Sequence, residues 1–207
     1  MQPVNLRSFR VKVRHNKRKF RRFLTALEKK APRKLDAVAG ITDKAVWQEV
    51  DCLTCANCCK TMSPTFTPKD IKRISAHLNM TPLQFREKWL YLDKRENDWM
   101  NKMQPCQFLD LTTNKCSIYE VRPADCAGFP HHTKRRMIDY MHVYKQNVEY
   151  CPATYKMVER MMAWVKDPLS VVIVAPAKPV TVPMSPVTPA TAPPLPLKKS
   201  VKSRNPV

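Results

Sequence analysis

Cys52-Leu53-Thr54-Cys55-Ala56-Asn57-Cys58-Cys59 is the stretch that decides the fold, because it holds four cysteines in eight residues. Cysteines two residues apart can direct both thiolates at one metal, and the amides between them stabilise the thiolate charge. Three cysteines at successive two-residue intervals also match the first ligands of a bacterial ferredoxin run, in which a remote cysteine completes the cluster. Neighbouring side chains diverge on a regular backbone, so one of Cys58 and Cys59 is expected to serve a second site.

Four further cysteines follow downstream, in loop or turn contexts beside rigid residues such as Pro105 and Pro152. Eight cysteines suffice for two four-cysteine sites, or for one site plus ligands of a coupled neighbour. Spacing does not tell which four share a metal. The predicted metal ligands are Cys52, Cys55, Cys58, Cys59, Cys106, Cys116, Cys126 and Cys151.

The start of the chain argues against export. A secretory signal needs an apolar run of about 7 to 15 residues, whereas Arg and Lys recur throughout residues 5–34. No apolar run elsewhere is long enough to span a bilayer, so no membrane contact is expected. The prediction is a cytoplasmic protein with reduced thiols, which favours metal ligation over disulfides or simple buried thiols. The Arg-rich start also resembles a mitochondrial presequence, but it has little serine.

Positive charge is concentrated near the start of the chain. The formal net charge is +20, and residues 7–34 alone carry thirteen Arg and Lys residues against one acid, Glu28. Two interpretations stay open for this segment. It is either the solvated face of a basic helix, or a contact for RNA, DNA or an acidic partner.

Local patterns predict a mainly α domain in which short helices surround irregular loops. Thr67-Pro68 and Thr81-Pro82 are strong start signals, since each places an N-cap hydroxyl before a proline at the first helical position. Residues 104–130 alternate over short distances and predict a small hairpin or paired loops. The predicted helices lie at 5–30, at 35–50 with an interruption or end at Gly40, at 68–79, at 82–92 and at 150–166.

The expected domain organisation has three parts. Residues 1–44 are a basic helical N-terminal extension, and residues 45–167 are a small cysteine-cluster domain stapled by metal. Residues 168–207 lack helical or strand periodicity and predict a disordered, proline-rich, basic tail. In so small a domain, metal binding should supply much of the folding free energy.

The order of the cysteine motifs carries a family resemblance. Cys52-x2-Cys55-x2-Cys58-Cys59-Lys60 is followed by Asp70-Ile71, by Pro105-Cys106-Gln107-Phe108-Leu109, by Cys116-Ser117-Ile118-Tyr119-Glu120-x-Arg122-Pro123-x2-Cys126, and by Cys151-Pro152. Over roughly residues 45–165 this pattern resembles the YkgJ-type cysteine cluster family (CxxCxxCC) of bacterial proteins. The resemblance implies a domain that chelates zinc or iron. Flagellin lysine-N-methylases carry a similar cluster, which implies iron-sulfur binding, but their methylase activity is not transferred to this chain.

Function is predicted only in outline. The ferredoxin-like spacing and the surplus of thiols favour an iron-sulfur cluster, with zinc as the alternative. The first hypothesis is electron transfer, or an accessory role to a modifying enzyme, with a protein partner. The second is a zinc-stabilised module that binds nucleic acid or an acidic partner through its basic helix. Direct catalysis ranks last, because no nucleotide loop, carboxylate pair or nucleophile triad is present.

Three kinds of residue besides cysteine stand near the motifs. Arg122 is a candidate for binding the carboxylate or phosphate of a cofactor, although holding its loop by stacking or by pairing with Glu120 or Asp125 is the favoured role. His131 and His132 could ligate metal, but eight thiolates favour a solvent-facing position or one behind the ligands. Tyr119 is interpreted as a core residue.

Overall fold

The computed structural model describes residues 3–167 of the chain. The tail predicted for residues 168–207 lies outside the described residues. Within residues 3–167 the fold is mainly helical, as predicted, and it adds a small sheet that the sequence did not predict. The elements are α1 (Leu6–Lys29), α2 (Leu35–Trp47), α3 (Cys52–Cys55), α4 (Asn57–Thr61), β1 (Thr65–Phe66), α5 (Pro68–His77), α6 (Pro82–Trp89), β2 (Leu90–Asp93), β3 (Asp98–Asn101), α7 (Ala124–Gly128), α8 (Met141–Tyr150) and α9 (Pro152–Lys166), with 3-10 turns at Tyr119–Val121 and Met137–Tyr140.

Helix α1 forms one wall of a first hydrophobic core. Its apolar stripe buries Phe20, Leu24 and Leu27 against α8 and α9, and its charged residues face away from that stripe. The ring of Phe20 meets Tyr155 of α9 edge-on, with the centroids 4.8 Å apart. Helix α2 packs on α9, so α1, α2, α8 and α9 share one core.

The boundary predicted between residues 44 and 45 stays a prediction. Helices α1 and α2 nevertheless supply buried side chains to the same core as α8 and α9, among them Leu24 and Val46, which have no exposed surface. Removing α1 would therefore expose apolar surface of the core. This matters for any experiment on the basic segment, because a truncation would test stability as well as charge.

A second core lies around α5, α6 and the sheet. Both predicted helix starts are confirmed, because Thr67 with Asp70 and Thr81 with Gln84 form reciprocal capping boxes. The buried members of this core come from six separate segments of the chain. They are Phe66, Ile71, Ile74, Phe85, Leu90, Phe108 and Ile118, and the half-buried Cys106 and Cys116 pack against them.

The predicted extension of α6 to residue 92 is wrong. The helix ends at Trp89, and Leu90–Asp93 form strand β2, which pairs antiparallel with β3 so that Leu92 lies opposite Trp99. Strand β3 also pairs with β1, giving the order β1-β3-β2. Leu90 is buried either way, so apolar spacing alone could not separate a longer helix from a helix followed by a strand.

Other local predictions also need correction. Gly40 lies inside α2 and neither interrupts nor ends it. Within residues 104–130, where a small hairpin or paired loops were predicted, paired loops are found: one antiparallel bridge joins Leu109 to Cys116, and the chain then forms α7. Helix α8 was not predicted. Over residues 3–167, no helix has both the length and the apolar character needed to cross a bilayer.

Candidate metal centre

The cysteine-rich stretch folds as two short helices with a sharp bend between them. Asp51 caps α3 by accepting a 2.9 Å hydrogen bond from the Leu53 amide, and Cys52 and Cys55 occupy the two ends of this single turn. Ala56 then adopts a left-handed conformation, with φ of 44°, which redirects the chain into α4. The bend presents Cys58 and Cys59 on a different helix from the first two cysteines.

Two hydrogen bonds connect this stretch to the later cysteines. The Asn57 side-chain amide donates to the Tyr150 carbonyl at 2.6 Å, which fixes α4 beside Cys151. The Cys106 amide donates to the Cys59 carbonyl at 2.9 Å, which fixes the loop of Cys106 on the other side. The stretch is therefore held between the two regions that carry the remote cysteines.

The charges of Cys55 and Cys151 raise the pKa of Cys52, those of Cys52 and Cys151 raise the pKa of Cys58, and that of Cys55 raises the pKa of Cys151. These electrostatic contacts define a first group of thiols, Cys52, Cys55, Cys58 and Cys151. The pKa of Cys52 is raised to about 12, first by burial and then by the nearby charges of Cys151 and Cys55. Burial also raises the pKa of Cys151, although the Thr154 amide and hydroxyl and the Ala153 amide stabilise its thiolate at the start of α9. A raised pKa keeps these thiols protonated near neutral pH.

The second group comprises Cys59, Cys106, Cys116 and Cys126. The pKa of Cys116 is raised to about 11, chiefly by burial and in part by the neighbouring charges of Cys106 and Cys59. Burial likewise raises the pKa of Cys126, with Cys59 as the next largest cause. The Asn101 side-chain amide donates to the Cys106 sulfur at 3.4 Å. Each member thus lies within electrostatic reach of Cys59.

Cys58 and Cys59 form the junction between the groups. Their sulfurs lie 3.9 Å apart, so one thiol can donate a hydrogen bond to the other. This shared proton lowers the pKa of Cys59 and raises that of Cys58. Cys59 also raises the pKa of Cys52 and of Cys55, so it lies within electrostatic reach of both groups.

The donor set fits a thiophilic metal. All eight cysteines are free thiols. Burial raises the pKa of most of them, so forming their thiolates costs free energy, and a bound cation would offset that cost. In residues 3–167, no three His, Cys, Asp or Glu side chains already stand close enough to hold one ion. Closing a site therefore requires thiol side chains to turn toward the metal.

A cavity of about 300 Å³ lies between the groups. Its walls include six of the predicted ligands, and Trp47, Phe66, Phe108 and Phe129 make much of the rest apolar. Such a wall lowers the local dielectric and strengthens any interaction with a bound charged centre. The cysteines that line it are Cys52, Cys58, Cys59, Cys106, Cys116 and Cys126.

Arg122 borders this cavity and also holds its own loop. Its guanidinium lies over the Tyr119 ring, with Cζ 3.8 Å from the centroid, and Nη1 donates to the Tyr119 carbonyl at 2.7 Å. Tyr119 is exposed, so its interpretation as a core residue is wrong. Asp125, one of the two ion-pair partners considered for Arg122, instead contacts His131 at 2.9 Å. Cofactor binding by Arg122 stays a prediction.

His132 lies behind the first group of cysteines. It is buried, with Nδ1 2.7 Å from Asp43 Oδ1 and Nε2 2.8 Å from the Thr154 hydroxyl. The Thr154 hydroxyl in turn stabilises the Cys151 thiolate. Asp43 and Thr154 were missed by sequence reasoning. The one available signal was a carboxylate on the buried face of α2, between Ala39 and Val46.

The fold and the site together define a small helical domain built around a cavity rich in free thiols. Residues 51–152 match the CxxCxxCC family, described as "Putative zinc- or iron-chelating domain". This segment of the chain belongs to that family, which confirms the resemblance found in the sequence.

A curated relative is the uncharacterized protein MJ0661 of Methanocaldococcus jannaschii, 33% identical over 89 residues. The match covers 41% of this chain and 46% of the relative, so the chain spans about half the length of that protein. No solved structure matches the chain.

Proposed function

We propose that the protein binds iron-sulfur clusters in two four-cysteine sites, and that it transfers electrons or serves as an accessory to a modifying enzyme. The observation that carries this proposal is the set of eight free thiols that act electrostatically on one another, six of which line one cavity. One site would use Cys52, Cys55, Cys58 and Cys151. The other would use Cys59, Cys106, Cys116 and Cys126.

The cavity supports a cluster over single zinc ions. Zinc holds four thiolates at about 2.3 Å and needs little space beyond its ligands. The cavity of about 300 Å³ offers more volume than two such ions need. A cluster of several irons brings its own sulfides, fills more space and supplies one-electron chemistry when bound.

Residues around such sites would influence the reduction potential of a bound cluster and its contact with water. Asn101 donates to the sulfur of Cys106, and hydrogen bonds to ligand sulfurs shift the potential of a cluster. The aromatic walls, including Phe66 and Phe108, exclude water. Near Cys151, the Thr154 hydroxyl and the start of α9 stabilise negative charge on sulfur.

The mouth of the cavity supports a protein partner. Leu53 and Tyr119 line the cavity, yet 51% and 39% of their surfaces are exposed. Apolar side chains at the edge of a redox centre suit the small, transient contacts of electron-transfer complexes. A cytoplasmic location stays part of the proposal, since such thiols must remain reduced before loading.

Anaerobic purification of the full chain, with assay of iron, zinc and acid-labile sulfide, tests the proposal. We expect iron and sulfide in comparable amounts and visible absorbance that bleaches on reduction with dithionite. A result of about two zinc ions per chain and no sulfide would contradict the redox role and favour the zinc-stabilised interaction module. Finding none of the three elements, even after anaerobic reconstitution with iron and sulfide, would overturn metal binding itself.

A further inference from the structure

The outward face of α1 carries a row of arginines. Arg14, Arg18 and Arg22 follow one another at four-residue intervals, and Arg7 continues the row one heptad earlier. Residues four apart lie on one side of a helix, each about 6 Å further along it. All four are exposed and lie opposite the stripe that α1 buries in the first core. We call these four residues the arginine row.

Few cations of this segment have an acidic partner. Among the described residues, ion pairs engage only two of the thirteen Arg and Lys residues between 7 and 34. These are Lys17 and Arg21, and both pair with Glu149 on the side of α1 that faces α8. The arginine row has no such pair in the described part of the chain.

The arginine row lowers the stability of helix α1. Like charges four residues apart repel each other, by an amount comparable to what an opposite pair contributes. Arg7 also stands in the first turn, which holds no acidic residue and where the helix dipole disfavours a cation. A face that only needed solvation would tolerate glutamates between the arginines. None occurs between Leu6 and Leu27.

From this geometry we infer that the arginine row binds the phosphate backbone of a nucleic acid. Arginine matches phosphate oxygens bidentately, which lysine cannot do. The helix is docked along its apolar side, so the row is presented with little loss of backbone entropy on binding. The inference is independent of the proposed metal sites.

A membrane surface fits this helix less well. An interfacial helix inserts its apolar face among lipid chains, whereas Phe20, Leu24 and Leu27 of α1 are buried inside the protein. Only Val11 is exposed among the large apolar side chains of α1. The exposed face of α1 therefore offers positive charge but few apolar side chains to insert into a membrane. Such a face suits a polyanion with closely and regularly spaced charges, such as a nucleic acid.

The test uses the full chain and two fluorescent probes, a 20-nucleotide RNA strand and a 20-base-pair DNA duplex. The test variant is Arg14→Gln/Arg18→Gln/Arg22→Gln. Its matched control is Lys29→Gln/Lys30→Gln/Lys34→Gln, which removes the same charge near the end of α1. A third variant changes the same three arginines to lysine. Circular dichroism and melting establish that each variant is folded.

We expect wild-type binding that weakens steeply with salt. The glutamine variant should bind at least about tenfold more weakly, and its salt slope should fall by about 0.7 to 0.9 for each phosphate that the variant leaves without a cation. The lysine variant should keep most of the slope but bind more weakly, while the Lys29/Lys30/Lys34 control should change binding less than threefold. No wild-type binding, equal weakening in the test and control variants, or tighter binding to anionic vesicles or polyglutamate would each overturn the inference.

Discussion

His132 Nδ1 lies 2.7 Å from Asp43 Oδ1, inside the first core and 89 residues away along the chain. The same oxygen accepts a 2.8 Å hydrogen bond from the Trp47 indole N–H. The Tyr144 ring stacks on the imidazole with centroids 5.5 Å apart, and its hydroxyl donates to the His132 carbonyl at 2.9 Å. Asp43 therefore satisfies one buried and one half-buried donor, and it fixes the imidazole that contacts Thr154.

Asp43→Ala should lower the free energy of unfolding of the metal-free protein by about 2–4 kcal/mol, because it leaves the buried His132 N–H and the half-buried Trp47 N–H without an acceptor. The matched control is Asp139→Ala, which removes an exposed carboxylate from its pair with Arg136 and should cost less than about 1 kcal/mol. Urea denaturation followed by circular dichroism measures both. Similar destabilisation of the two variants would contradict the role assigned to Asp43.

Thr154 links this network to the candidate metal centre. Thr154→Val keeps the shape of the side chain but removes the hydroxyl that stabilises the Cys151 thiolate, and it leaves His132 Nε2 without its partner. If the protein holds a cluster, the valine variant should show a lower reduction potential, because a donor to sulfur stabilises the reduced state.

Thr154→Ser is the control, since it retains the hydroxyl. It should keep most of the wild-type potential, measured by dye-mediated redox titration of the visible absorbance. A potential that falls equally in both variants would assign the effect to packing around Thr154.

Local sequence patterns predict the fold best where one segment suffices to define an element. The stripe of Phe20, Leu24 and Leu27 predicted α1, and Thr67 and Thr81 located two helix starts, because capping chemistry acts within three residues. The sheet escaped prediction, since its strands have two to four residues and depend on pairing partners in separate segments, such as Thr65 with Met100.

The sequence was enough to propose the eight cysteines as ligands, but not to propose how they are grouped. Adjacency of Cys58 and Cys59 pointed to two sites from geometry alone. Which remote cysteine joins which group depends on contacts such as Asn57 with Tyr150, which brings residues 93 positions apart together. The Asp43–His132 pair could not be predicted from sequence spacing either, because its two residues lie 89 positions apart.

The grouping predicts the metal content of single variants. Cys151→Ser should empty only the first site, and Cys126→Ser only the second, so each should keep about half of the wild-type metal. The measurement is metal and sulfide per folded chain after anaerobic reconstitution. The double variant should hold none. Complete absence of metal in either single variant would show that the eight thiols form one interdependent centre.

The raised thiol pKa values predict how stability of the metal-free protein depends on pH. Folding raises the pKa of Cys52 to about 12 and of Cys116 to about 11, from the ordinary value of 9.0. Below pH 9 both states carry these protons and stability is complete. Above pH 9 the unfolded chain releases them first, so stability falls progressively toward pH 11–12. Cys59 acts in the opposite sense, since its pKa is lowered.

Melting from pH 8 to 11 should therefore show a steeper decline for the metal-free wild type than for Cys52→Ser/Cys116→Ser, which lacks the two titrating thiols. Metal loading should flatten the wild-type profile, because bound thiolates have already released their protons. Lysine and tyrosine titration is common to both chains and cancels in this difference. Parallel profiles for wild type and variant would mean that folding does not raise the pKa of these two thiols.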